Sequence, residues 1–142
     1  MNSRTVYYLV GVDGRVQASN GAPSEVLQRA LGHYRLRRAN VPESMKSIRD
    51  AIWQYRLGAA LQEATRAAAA ADASAEAKAV ATRVTALAEE DVASRGQWAA
   101  WLRAQGAVKA GELRQAVDEL VREYAGGPLQ AKAEAVKRQQ GL

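Results

Sequence analysis

The chain has no cysteine, no phenylalanine, one histidine and three prolines in 142 residues. Without thiols there is no disulfide framework, no thiolate nucleophile and no Cys-based zinc site. The lone His33 cannot build a His-rich metal centre, and the sequence holds no G-x-S-x-G, H-E-x-x-H or Walker-type glycine loop. No cofactor, no metal and no enzymatic activity are therefore expected. Long apolar runs are missing as well. The opening MNSRTVYYLVGVDGR is too short in its apolar part for a signal peptide, and no stretch approaches the ~20 apolar residues of a membrane span. The expectation is a cytoplasmic protein that makes no membrane contact.

Large apolar side chains are also scarce. Leu, Ile and Val supply 27 residues, while alanine supplies 31. A chain of this length can fold as one domain over 1–142, but with a small or elongated core that a partner chain could complete. Fifteen Arg against five Lys, with so much Ala, is the signature of a GC-rich coding sequence and suggests a bacterial or phage source.

The charge is +5 and unevenly placed. Residues 1–66 hold ten Lys or Arg against five Asp or Glu, and residues 67–142 hold ten against ten, so the whole excess lies in the first half. Its centre is HYRLRRANVPESMKSIRDAIWQYR, from His33 to Arg56.

Periodicity predicts a mainly α fold. Residues 5–19, TVYYLVGVDGRVQAS, read as a β-hairpin turning at Asp13-Gly14, which must pack on helices or gain strands from elsewhere. A basic helix pair is expected over 23–66. In its first helix Arg29, His33 and Arg37 follow one another on one side, and Asn40 and Pro42 end it. In its second, Met45, Ile48, Ile52, Tyr55 and Ala59 define an inward face. Lys46, Arg49, Trp53 and Arg56 fall within roughly 80° of each other beside it. An alanine-rich helix is expected over 67–95, with Asp72 and Ser74 as the only break; a helical hairpin is favoured there over one rod. Arg95-Gly96 is read as its end. The segment 97–142 should be helical, with Leu113, Ala116, Val117, Leu120, Val121 and Tyr124 as a core stripe and Trp98, Trp101 and Leu102 closing on it. The run WLRAQGAVKAGELRQAV resembles the helix-extended-helix of SAP-type DNA-binding domains, with Gly106 and Gly111 five apart, although Leu113 stands where a basic residue is expected.

One surface carries chemistry. Arg29, Arg35, Arg37, Arg38, Lys46, Arg49 and Arg56 are the candidate phosphate contacts, because a planar guanidinium can give two parallel charged hydrogen bonds to one anion. Trp53, and Tyr34 beside it, could stack on bases. The competing reading has Arg stems covering apolar helix edges with only their heads wet. Glu89-Glu90-Asp91 is the one carboxylate cluster and reads as a solvated face, with Arg95 one turn from Asp91. The expected function is nucleic-acid binding, to DNA or RNA, mainly through phosphate contacts. The alternative is a helical protein-interaction module, an adaptor, oligomer subunit or inhibitor, docking an acidic protein surface or forming a homo-oligomer.

Overall fold

The computed structural model describes residues 32–142 throughout and, ahead of them, the backbone of the first helix from Glu25 and of two short segments, Tyr8–Val10 and Val16–Ser19. The described part is mostly helical: α1 Glu25–Ala39, α2 Lys46–Trp53, α3 Leu57–Ala69, α4 Ala75–Ala104, α5 Ala110–Tyr124 and α6 Gln130–Gln139. Of the hairpin expected over 5–19, only those two segments are described, as short antiparallel strands; its turn at Asp13-Gly14 lies outside the described residues. No described helix is long and apolar enough to cross a membrane.

Local chemistry sets most boundaries. Asn40 ends α1 in a left-handed conformation (φ 44°), its N–H donating to Leu36 O at 2.9 Å, as the Asn-Val-Pro sequence leads one to expect. Ser74 caps α4, its hydroxyl accepting from Ala77 N at 3.0 Å. The alanine-rich tract therefore folds back as a hairpin of α3 and α4. Ala60, Ala64 and Ala88 are fully buried, and side chains this small let helices pack closely. Ile48 and Ile52 of α2, Leu57 and Leu61 of α3, and Val80, Val84 and Leu87 of α4 belong to the same apolar core. Leu113, Val117, Leu120 and Tyr124 of α5 continue it, with Ala116 and Val121 half-buried beside them, and Ala133 and Val136 of α6 close the far end.

Four expectations are corrected. Residues 43–66 do not run as one helix, because Tyr55 adopts φ 60° and breaks the chain between α2 and α3. Its N–H donates to Ile52 O at 3.1 Å and that of Arg56 to Ala51 O at 2.8 Å, the paired closure normally made with glycine at the left-handed position. Tyr55 is consequently half-buried and Ala59 exposed, while Leu57, Gly58, Ala60 and Leu61 turn inward. The stop expected at Arg95-Gly96 is also absent: α4 continues to Ala104. A Cβ at Gly96 would meet Val136 Cγ2 of α6 at 3.4 Å, an ordinary van der Waals contact. Finally, of the residues expected to close the core, Leu102 is fully buried and Trp98 half-buried, but Trp101 is exposed. Between α4 and α5 the connection is a 3-10 turn, Gly106–Lys109, rather than an extended segment.

Candidate nucleic-acid interface

The C-terminal half of α1, the turn after it and one side of α2 form the walls of an open groove of about 590 Å³. His33 and Arg37 lie one turn apart on α1, and Arg49, Asp50 and Trp53 line the opposite wall from α2. The indole of Trp53 is held edge-on to the His33 ring, centroids 4.9 Å apart at 66°. Gly32 makes this approach possible. A Cβ there would sit 3.0 Å from Trp53 Cε3, so any larger residue would push the indole away from α1. Held in this way, Trp53 remains 38% exposed.

The arginines of the segment divide by task. Arg37 and Lys46 are exposed and make no ion pair among the described residues. Arg56 is exposed too, but it lies beyond the end of α2, off the stripe expected for it, and donates to Gln54 Oε1 at 2.6 Å. Arg49 reaches back from α2 to donate to Val41 O at 2.8 Å, fixing the turn after α1. Arg38 forms a two-pronged ion pair with Glu90 of α4, its second prong 2.7 Å long, and lies over the Tyr34 ring at 5.8 Å. The hydrogen bond to Glu90 raises the Arg38 pKa further above its already high ordinary value. Tyr34, accepting from Arg38 at 3.4 Å, is half-buried. The side chain of Arg29 lies outside the described residues.

Arg35 overturns its expected role. It is fully buried, with its Nη2 3.6 Å from Asp91 Oδ1, where no phosphate can reach it. Asp91 is equally buried and takes further partners: Tyr124 Oη donates to its Oδ2 at 2.7 Å, and Arg95 Nη1 stands 3.3 Å from the same oxygen. Arg95 also donates to Glu123 Oε1 at 2.8 Å. Two guanidiniums, two carboxylates and a phenol thus share one site joining α1, α4 and α5, with formal charges that cancel. Burial and the Asp91 charge push the Tyr124 phenol well above its ordinary pKa. For Arg95, burial works downward, but the charges of Asp91 and Glu123 outweigh it and the pKa is raised.

The acidic cluster is therefore split. Glu89 alone keeps a solvated setting, near Lys132, whereas Glu90 and Asp91 bind arginines. No group of three His, Cys, Asp or Glu among the described residues could hold a metal ion. Arg83 is a further ordering residue that the periodicity did not single out: its guanidinium donates to Ala39 O at 2.7 Å and Asn40 O at 3.0 Å, placing positive charge on the C-terminus of α1. Comparison with protein families, curated proteins and solved structures finds no match to this chain.

Proposed function

We propose that the protein is a small non-enzymatic nucleic-acid-binding protein that takes an unpaired strand along the groove between α1 and α2. The observation that carries this reading is Trp53, more than one third exposed and set in the same groove as the exposed Arg37. An accessible indole offers a stacking surface that every base can use, and nearby cations track the backbone. Arg37, Lys46 and Arg56 are the phosphate contacts. Arg49, Arg38 and Arg35 position the two helices instead. Three exposed cations without an ion pair among the described residues are few for a rigid duplex backbone, and one aromatic platform suits a base that is already unstacked, so single strands are the favoured form.

The test is fluorescence anisotropy of labelled single-stranded and duplex DNA and RNA at low salt, with Arg37→Ala/Lys46→Ala/Arg56→Ala as the comparison. Binding that prefers single strands and is lost in the triple variant, its helix content unchanged, is the expected result. Equal binding by the variant would dismiss the groove as the site. A second reading, a helical protein-interaction module, is favoured by a different surface. Trp98 and Trp101 stack with centroids 4.8 Å apart, and Trp101 and Val108 are 46% and 89% exposed. Absence of nucleic-acid binding would leave that reading in its place.

A further inference from the structure

On the side of α4 away from this groove, an open trough of about 630 Å³ runs between α4 and a wall of small residues on α3. Its α4 wall consists of Lys78, Ala81, Thr82, Thr85, Ala86 and Glu89. These six are arranged symmetrically about a point midway between Arg83 and Val84. Thr82 mirrors Thr85, Ala81 mirrors Ala86, and Lys78 mirrors Glu89, so the only charged pair exchanges sign across the centre.

We propose that this trough is a self-association surface and that its occupant is a second copy of the chain, with the two α4 helices antiparallel about a two-fold axis through that midpoint. Such an isologous contact sets each Lys78 against the partner's Glu89 and each Thr82 against the partner's Thr85. A parallel arrangement in register would instead place like charges together, so the charges select the antiparallel one. Burial of the threonines leaves no hydroxyl stranded. Thr82 already donates to Lys78 O at 3.1 Å and Thr85 to Ala81 O at 2.7 Å. Glu89 Oε2 stands 3.7 Å from Lys132 Nζ at the rim, where the carboxylate can accept a second cation. Alanine and threonine across the centre let the helix axes come to the ~8–10 Å of packed helices, extending the α3–α4 hairpin into a four-helix unit. The proposal stands independently of nucleic-acid binding.

Sedimentation equilibrium of the full chain across the micromolar range tests it. The wild type should approach twice its 15.3 kDa mass. Ala86→Arg, at an exposed position on the single chain, should stay at one chain mass with unchanged helix content. Lys78→Glu and Glu89→Lys should each weaken the dimer by ~10-fold or more, since each creates two like-charge contacts across the axis. The double variant Lys78→Glu/Glu89→Lys should recover most of the wild-type affinity. A wild type that remains at one chain mass, a dimer indifferent to Ala86→Arg, or a charge swap that fails to rescue would each overturn the proposal.

Discussion

Replacing Arg35 by alanine would leave Asp91 short of a guanidinium inside a site closed to water. Breaking a buried pair by removing one member typically costs about 3–5 kcal/mol. Arg35→Ala should therefore lower the urea midpoint sharply, whereas Arg37→Ala, on the exposed side of the same helix, should change stability by less than ~0.5 kcal/mol. Equal effects of the two substitutions would contradict the division of arginines described above. Tyr124 gives a second test at this scale. Its folded-state pKa lies above the unfolded value of about 10, so folding favours the protonated phenol. The resulting stability is fully present below about pH 10 and declines as pH rises toward the folded pKa. Urea midpoints between neutral and strongly alkaline pH should thus fall for the wild type above that point. Tyr124→Phe, which has no phenol to ionise, should fall less steeply, and parallel curves would remove Tyr124 as the cause. Neither role was legible from periodicity, which saw Arg35 as one cation in a basic run. The relevant signal was faint: Asp91 and Arg95 stand one turn apart, a spacing that also suits an ordinary surface pair.

Helix boundaries show which local signals a sequence transmits. Asn40 and Ser74 use residue types whose side chains or left-handed tolerance favour helix ends, and both boundaries could be read in advance. Tyr55 adopts the same kind of closing conformation as Asn40 without a residue type that announces it, so α2 and α3 looked continuous. Gly96 misled in the opposite sense. Glycine costs a helix about 1 kcal/mol relative to alanine, too little to end α4, which runs on to Ala104 with Val136 of α6 beside Gly96. Gly58 is a stronger case of close approach: a Cβ there would lie 2.1 Å from Glu123 O, so α3 can pass α5 only with hydrogen at that position. Gly58→Ala should cost at least ~1–3 kcal/mol through the forced separation of the helices. Ser74→Ala should cost about 1 kcal/mol through loss of the cap. Thermal unfolding of the two variants ranks them, and a Gly58→Ala protein as stable as the wild type would show that α3 and α5 are not in such contact.

For the molecule as a whole, composition and periodicity conveyed a mainly helical chain, an alanine-rich hairpin and the α5 stripe, because each of these follows from spacing along one helix. What they could not convey was how helices distant in sequence meet. Arg35 faces Asp91, Arg38 faces Glu90 and Arg83 faces the end of α1, and each of these contacts takes a cation out of solution or fixes it to the fold. Among the described residues of the basic pole, Arg37, Lys46 and Arg56 are the cations left exposed without an ion pair, and Trp53 is exposed with them. This sets a quantitative expectation for binding. Each phosphate contact on a single strand contributes about 0.7 to the slope of log K against log salt, so Arg37, Lys46 and Arg56 together predict a slope of about −2, against about −5 had all seven arginines and lysines engaged. The salt dependence of single-strand affinity is therefore the most direct measurement. A slope near −2 that collapses toward zero in Arg37→Ala/Lys46→Ala/Arg56→Ala is the predicted result. No binding even at low salt, or a steep slope that survives the triple variant, would contradict it.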